Sequence, residues 1–454
     1  MMRSKSILMA VHLALALFFT LTLALVTHQH AAAQTREEKV RNDKAKVEAD
    51  GFWIYNDLAR GIAAAKKSGK PLVVVLRCIP CEDCVKLDDD LVDKDERLRP
   101  LLEQFERVRI VSTNGLDLSL FQFDTDQSFA VFLLNADGTI YGRFGTRSDH
   151  KEWVDDVSVE GLGKALEGAL ALHRRYPEVK SLLAAKRGPA PDFPAPEQYP
   201  TLKGKFGPKL DYSGNVVRSC IHCHQIGDAQ REHYRTNESK IPEKVLFPYP
   251  HPKALGLVLN PRERATVLRV TEGSIAEKAG FKAGDVVEQL EGQPLLSIAD
   301  VQWVLHHVDP QGGTLIAKVK RGDAKEEIKL TLPAGWRAND DISWRASTWG
   351  LRRFGLGGLN LKPLTDEERA EKSLTGVKLA LRVHHVGAFA PHDGAKRAGF
   401  LKDDVIIEFD GKSDFTRETE LLAHALNQRS PGDSIPVKVL RGGKTLDLKI
   451  PLSR

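Results

Sequence analysis

Apolar residues along positions 51–177 recur with two different periods. A spacing of three to four residues predicts helices over 55–68 and 159–175. Short continuous apolar runs predict strands over 72–76, 108–111, 129–134 and 139–144. Asp137-Gly138 stands between the last two runs and is typical of a turn between strands. This mixture of helices and strands predicts one α/β domain over 51–177.

The segments on either side of this region lack such periodicity. Residues 34–50 are charged and residues 178–250 are rich in Pro, Lys and Gly, so both are predicted to be linkers. Arg3 and Lys5 precede an apolar run and three alanines at 31–33, which is typical of a signal peptide over 1–33. We therefore expect an exported protein, periplasmic or otherwise extracytoplasmic, with no membrane span after cleavage. An uncleaved segment would instead anchor the chain in a membrane.

The last part of the chain contains an internal repeat. The stretch SIAEKAGFKAGDVV at 274–287 recurs as HDGAKRAGFLKDDVI at 392–406. Both copies are followed by an acidic residue and Gly, at Glu291-Gly292 and Asp410-Gly411, and then by a predicted helix and a charged hairpin. Two copies of so long a unit predict two α+β domains, over 251–336 and 345–454, rather than a solenoid.

Composition narrows the possible functions. The chain has 66 basic and 61 acidic side chains, a net charge of +5, which argues against a nucleic-acid partner. Its five cysteines form two tight clusters, which favours redox or metal chemistry over cross-linking. The clusters are Cys78, Cys81 and Cys84, and Cys220 and Cys223. The sequence has no Gly-x-Ser-x-Gly motif, which argues against a serine protease.

The second cluster has the spacing of a c-type haem attachment site. In Cys220-Ile221-His222-Cys223-His224, the two thiols would bind the haem covalently and His224 would be the proximal ligand of the haem iron. All three methionines lie within the first nine residues, so we expect His233 as the second ligand, with His222 and His251 as weaker candidates. Two alternatives stay open. One is a zinc site of Cys220, Cys223, His224 and His233, and the other is a disulfide between the two cysteines.

The repeated unit resembles PDZ domains of the HtrA type, through its Ala-Gly-Phe turn and the Asp-Val-Val or Asp-Val-Ile that follows. This resemblance implies two PDZ-like β-barrel or sandwich domains that bind protein C-termini or extended peptides along a sheet edge. Backbone N–H groups of a glycine-containing loop would hold the peptide carboxylate. The matching loops are Leu255, Gly256 and Leu257 in the first unit, and Phe354, Gly355, Leu356, Gly357 and Gly358 in the second.

Residues 51–177 resemble the thioredoxin superfamily, in the subgroup whose first helix ends in Lys-Lys-Ser-Gly-Lys-Pro, here at 66–71. The resemblance implies a thioredoxin-like fold in which Cys81 and Cys84 are the catalytic pair and Cys78 is an additional thiol. Ala130 stands where the family has a cis-proline, which puts general thiol–disulfide exchange in doubt. Three interpretations stay open for this cluster. They are dithiol redox chemistry, metal or copper handling, and a structural disulfide with a spare thiol.

The order of these parts resembles an exported thioredoxin/PDZ family, some of whose members are selenoproteins. It predicts a modular redox protein, a possible thiol–disulfide oxidoreductase with haem c, that meets redox partner proteins and is tethered to others by its PDZ domains. The alternative is a non-enzymatic PDZ adaptor or a metal-handling protein with structural cysteines. Zinc or copper would then replace haem as the cofactor.

Overall fold

The computed structural model describes residues 35–77, 95–127, 129–149, 155–237 and 239–453. The predicted signal peptide over 1–33 and the cluster of Cys78, Cys81 and Cys84 lie outside the described residues. Within the described part of the chain, no helix is long and apolar enough to cross a membrane.

The N-terminal domain is built on one mixed sheet, as its two-period pattern predicts. Strands β2 and β4 at the centre are buried along their whole length, because helices cover both faces of the sheet. The strand order is β1-β3-β2-β4-β5, with β1, β2 and β3 parallel and β4 and β5 antiparallel to their neighbours. The elements are β1 (Ile54–Tyr55), β2 (Leu72–Arg77), β3 (Glu106–Ile110), β4 (Phe129–Leu134) and β5 (Ile140–Phe144), with α2 (Leu58–Ser68), α3 (Arg99–Leu102) and α4 (Val159–Arg174).

The predicted linker over 34–50 is a helix, α1 (Arg36–Asp50). Thr35 begins it with a capping box, in which its hydroxyl accepts from the Glu38 N–H and the Glu38 carboxylate accepts from the Thr35 N–H. Val40 and Val47, seven residues apart, are its buried contacts with the core of the N-terminal domain. Two buried valines are too few to give a helical stripe, which is why the periodicity missed this helix.

The connecting segment, residues 178–250, also contains more structure than its composition predicts. Its described residues include four short or medium α-helices, whose buried residues include Leu183, Val216, Ile226 and Leu246. It is therefore folded against the domains rather than extended between them. The helices are α5 (Lys180–Leu183), α6 (Val216–Ser219), α7 (Cys223–Thr236) and α8 (Glu243–Leu246).

Two α+β domains follow, as the repeat predicts, and we call them the first and second repeat domains. The first contains β6 (Leu257–Leu259), β7 (Val267–Val270), α9 (Ile275–Ala279), β8 (Val286–Leu290), β9 (Gln293–Pro294), α10 (Ile298–His306), β10 (Gly313–Arg321) and β11 (Ala324–Leu332). The second contains α11 (Thr348–Leu356), β12 (Leu359–Pro363), α12 (Asp366–Glu371), β13 (Leu381–Val386), α13 (Gly394–Arg397), β14 (Val405–Phe409), α14 (Glu418–Gln428), β15 (Ser434–Arg441) and β16 (Lys444–Pro451).

The sheets of both repeat domains are open in the described residues, so of the expected barrel or sandwich neither domain forms a closed barrel. The first has a four-stranded sheet, β11-β10-β8-β9, and a two-stranded one, β6-β7. The second has one five-stranded sheet, β12-β13-β14-β15-β16, which leaves β12 as an edge strand.

The first repeat domain docks on the outer edge of β5. The Arg143 N–H donates to Asp300 Oδ1 at 3.2 Å, and the Ser297 hydroxyl donates to the Arg143 carbonyl at 2.5 Å. Lys186 of the connecting segment forms an ion pair of 2.9 Å with the same Asp300, and both side chains are almost fully buried. The edge of the N-terminal sheet is thus covered by α10 and the turn before it, which holds three parts of the chain together.

Candidate thiol site and peptide-binding loops

The segment with the second cysteine cluster is fastened to the N-terminal domain at the carboxyl end of β3. The Thr113 N–H and hydroxyl both donate to the Ile221 carbonyl, at 3.2 and 2.8 Å. The Asn114 side chain accepts from the Ile221 N–H at 2.8 Å and donates to the Ser219 carbonyl at 2.9 Å. These bonds bracket Cys220, so its backbone position is set by the loop that follows β3.

The described chain before the first cysteine cluster ends at the same edge of the sheet. Strands β2 and β3 are parallel, with Leu76 opposite Ile110, so their carboxyl ends lie side by side. Cys78 is bonded to Arg77, the last residue of β2, while Cys78, Cys81 and Cys84 themselves lie outside the described residues. Ala130 is a buried residue of β4 paired with Leu76, so the position expected for the family's cis-proline also adjoins the end of β2.

The two cysteines of the second cluster have different surroundings. Cys220 is 5% exposed and lies near Tyr212, whose pKa is raised by burial and further by acidic groups that include this thiol. Cys223 is half-buried against the apolar cluster that contains Ile221 and Ile226. It is the first residue of α7, where exposed N–H groups and the helix dipole stabilise a thiolate.

The two histidines of the motif flank Cys223. Burial lowers the pKa of His222, and the nearby His224 and Arg36 lower it further. The His222 and His224 rings stack, with centroids 5.8 Å apart and planes 20° apart. His224 Nδ1 lies 3.4 Å from Asp228 Oδ2, one turn along α7, and its side chain is 44% exposed. The neutral form of His222 is therefore favoured, and the His224 side chain is largely exposed.

The three residues of the expected haem site have different surroundings in the structure, and the haem stays a prediction. Such a haem needs both sulfurs and the histidine to face one pocket. Here Cys220 is buried and Cys223 is half-buried against the apolar cluster of the N-terminal domain, whereas His224 lines a cavity of about 270 Å³ shared with Trp349 and His392 of the second repeat domain. Pockets for drug-sized ligands measure about 300–1,000 Å³, so this cavity is small even for those.

The geometry also corrects the second ligand. His233 lies nine residues beyond His224 on α7, which is about 13 Å along the axis and on the opposite face of the helix. One iron cannot bind both imidazoles in this arrangement. His251 is buried beside Asp156 instead, with its Nε2 3.5 Å from Asp156 Oδ1. Among the described residues no three His, Cys, Asp or Glu side chains form a metal-binding group, so the four expected zinc ligands do not come together.

The loop of the first repeat domain is packed against its own chain. Gly256 has φ +78°, and a Cβ there would lie 2.2 Å from the Ser274 Cβ. Its N–H donates to the Lys253 carbonyl at 2.9 Å. Leu255 and Leu257 are both buried. Glycine is required here by the close approach of the loop at 271–274, and the donor expected to hold a carboxylate is engaged.

The loop of the second repeat domain has the same property. Phe354, Gly355 and Leu356 are buried and belong to α11 rather than to an open loop. Gly358 has φ +89°, and a Cβ there would lie 1.8 Å from the His392 carbonyl oxygen. The Gly358 N–H donates to the Arg352 carbonyl at 2.9 Å, while Gly357 ends α11 with φ +59°. These loop residues are adjacent as expected, but they are buried or already bonded to other residues of the same domain.

Thr113 and Asn114 are the site residues that the sequence did not reveal. They follow β3 as Ser-Thr-Asn-Gly, which is an ordinary turn signal, and their partner Ile221 is more than a hundred residues away. A polar pair after a buried strand was the only available hint.

Family models match three separate parts of the chain. Residues 53–136 match a thioredoxin-like family, and residues 266–311 and 364–452 each match a PDZ domain family. The matched regions fall on the N-terminal domain and on the two repeat domains.

Curated relatives match through part of their length. A probable periplasmic serine endoprotease DegP-like of Hahella chejuensis is 27% identical over 43% of this chain and 39% of its own length. A protein of the same description from Ectopseudomonas mendocina is 25% identical over 40% of this chain and 36% of its own length. The chain thus spans about two fifths of these relatives.

Solved structures add only a distant likeness. The HtrA-type protease AlgW with decapeptide is 21% identical, covers 32% of this chain and 41% of its own, and has a TM-score of 0.21. AlgW with tripeptide is 21% identical over 31% of this chain and 48% of its own, also with a TM-score of 0.21. At these scores the likeness carries no argument, and the family matches decide. The chain is a thioredoxin-like domain followed by two PDZ domains.

Proposed function

We propose that this is an exported thiol-redox protein in which the two cysteine clusters act together, and in which the PDZ domains serve protein interactions. The observation that supports it is the attachment of Ile221, between Cys220 and Cys223, to the carboxyl end of β3. The neighbouring strand β2 leads directly into Cys78. A segment that merely linked domains would not need to be held at this end of the sheet.

The proposed reaction is thiol–disulfide exchange between the clusters. A thiolate of the Cys81–Cys84 pair attacks a Cys220–Cys223 disulfide, forms a mixed disulfide and releases one thiolate. The second thiol of the attacking pair then displaces the remaining one. One disulfide is lost, one is gained, and two electrons pass between the clusters. A partner protein with a dithiol or disulfide completes the cycle outside the chain.

The proposal includes export of the protein but no proteolytic activity. The apolar N-terminal segment and the periplasmic description of the relatives support export. Proteolysis is not proposed, because the chain has no Gly-x-Ser-x-Gly motif and spans only part of the serine endoproteases it resembles.

Trapping the mixed disulfide tests the proposal. In the full chain with Cys84→Ser and Cys220→Ser, mild oxidation should join the peptide carrying Cys81 to the peptide carrying Cys223, as seen by non-reducing mass spectrometry. Asn114→Ala removes the side chain that holds Ile221 and should lower the yield severalfold. Asn135→Ala removes an amide in an exposed turn, and should leave the yield unchanged.

Two results would overturn the proposal. One is the absence of any disulfide between the two cysteine clusters after oxidation of the Cys84→Ser, Cys220→Ser chain. The other is a pyridine haemochrome spectrum together with a haem-bearing peptide that contains Cys220, Cys223 and His224, after expression with a haem-attachment system. Covalent haem would consume both thiols and establish the c-type haem that the motif predicts.

A further inference from the structure

We infer that the peptide groove of the second PDZ domain is occupied by the chain's own residues 342–356, so that an outside peptide can enter only by displacing them. The inference is independent of the thiol chemistry proposed above. It concerns the groove between the edge strand β12 and helix α14. A PDZ ligand would lie there, adding a strand to the open edge.

Apolar side chains of residues 342–356 fill the space beside α14. Ile342 and Leu351 are fully buried, and Phe354 is 3% exposed. They belong to one core cluster with Leu359 and Leu361 of β12 and with Leu421, Leu422, Ala425 and Leu426 of α14. Gly355 allows α11 to approach closely, since a Cβ there would lie 3.4 Å from the Ala425 Cβ.

Polar contacts fix the start of the same segment to α14. The Ile342 N–H donates to the Thr419 hydroxyl at 3.1 Å, and that hydroxyl donates to Asp341 Oδ1 at 2.6 Å. The Arg417 guanidinium donates to the Ala338 carbonyl at 2.8 Å. The segment is thus held at both its polar start and its apolar helix.

The edge of β12 is blocked as well as covered. The Leu361 N–H points away from β13 and donates to Glu418 Oε1 at 2.7 Å, at the place where a peptide carbonyl would bind. Glu418 is in turn held by the Arg352 guanidinium, at 3.0 and 2.6 Å, and both side chains are buried. Pro363, two residues on, has no N–H to offer on that side.

The occupying segment is also attached to the N-terminal domain. The Arg345 guanidinium donates to both oxygens of Asp124, at 2.6 and 2.7 Å, and the Ser347 hydroxyl donates to Asp126 at 2.6 Å. All of these side chains are buried. The second PDZ domain therefore uses its groove to hold the segment whose Arg345 and Ser347 bind the thioredoxin-like domain.

Opening the groove tests the inference on the full chain. Arg352→Met with Glu418→Leu replaces the buried ion pair by apolar side chains of similar size, which proteins often tolerate, and releases the Leu361 N–H. Gly355→Leu acts independently, by wedging α11 away from α14. The matched control is Lys438→Met with Glu408→Leu, which removes a partly exposed ion pair of 2.9 Å between β15 and β14 of the same domain.

The probe is a pool of ten-residue peptides with a free carboxylate and a photo-crosslinking group. The wild-type chain and the control should give no crosslink to 356–364 or 418–428, and each opened variant should raise crosslinking there at least tenfold. Hydrogen exchange over 359–364 should be slow in the wild-type chain and faster in the opened variants.

Three outcomes would overturn the inference. Wild-type crosslinking in this groove at the level of the opened variants would show that it is open already. Wild-type exchange over 359–364 as fast as in the variants would show that Glu418 does not protect the edge. Folded opened variants that still take no peptide would show that these contacts are not what excludes it.

Discussion

His251 is a buried imidazole whose protonation opposes folding. Burial lowers its pKa to about 4, while Asp156 raises it and Lys253 and Arg345 lower it further. Between about pH 6.5 and pH 4, His251 is protonated in the unfolded chain but stays neutral in the folded chain. Stability should therefore fall as pH drops through this window, by about 3 kcal/mol in total.

The measurement is the urea midpoint between pH 7 and 4, for wild type and His251→Gln. The variant should lose less stability, because its side chain takes up no proton. Asp340 accepts a hydrogen bond from the backbone N–H of His251. Burial raises the pKa of the Asp340 carboxyl to about 7, so proton uptake by Asp340 stabilises both folded proteins as the pH falls. Identical pH profiles for the two proteins would contradict the prediction.

Removing only one partner of the buried Lys186–Asp300 ion pair should lower the free energy of unfolding. Lys186→Met leaves a buried carboxylate without its cation, which costs about 3–5 kcal/mol. Lys180→Met is the control, since its 2.9 Å pair with Asp137 is largely exposed and screened by solvent, so its loss should change stability far less. Chemical denaturation compares the two, and equal losses would refute the argument.

At the scale of elements, those with a strong period could be predicted and those held by caps or distant contacts could not. The apolar runs gave β4 at its observed bounds and α4 to within one residue, because a buried strand or helix face imposes its period on the residues. Helix α1 was not predicted, because a capping box and ion pairs such as Arg41–Glu37 stabilise it while it buries little apolar surface.

Helix α7 sets different reactivities for its two cysteines. Cys223 begins the helix and is half-buried, whereas Cys220 precedes it and is 5% exposed. In the reduced chain, limiting iodoacetamide should modify Cys223 first, because its thiolate is stabilised and accessible. Fragment ions of the tryptic peptide 219–231 distinguish the two sites. Earlier modification of Cys220 would contradict this reading of the helix terminus.

At the scale of the whole molecule, the repeat predicted two domains but gave no sign of how they pack. The contacts that join the parts pair residues far apart in sequence, such as Asp124 with Arg345 and Arg143 with Asp300. Each such residue looks like an ordinary surface charge in the sequence. The same reason hid the engaged loops, because Gly256 and Gly358 fit a carboxylate loop and a close internal contact equally well.

Two glycines of α4 separate docking from helix stability. A Cβ on Gly161 would lie 2.2 Å from the Pro261 carbonyl oxygen, so the first PDZ domain must move to accommodate it. A Cβ on Gly163 would meet Leu98 at 3.5 Å, which is ordinary contact. Either change to alanine favours the helix by about 1 kcal/mol. A Cβ on Gly161 would also lie 3.3 Å from the hydroxyl of Ser158, which caps α4, so the difference between the variants reports the docking together with this contact.

We expect Gly161→Ala to speed hydrogen exchange along β5 and in the loop at 260–266, and to lower the melting temperature, while Gly163→Ala raises it. The N-terminal domain itself should stay folded in both variants, since the added methyl group on Gly161 points at another domain. If the two variants exchange and melt alike, then the first PDZ domain is not held against α4, and the molecule is a chain of independent domains rather than one docked unit.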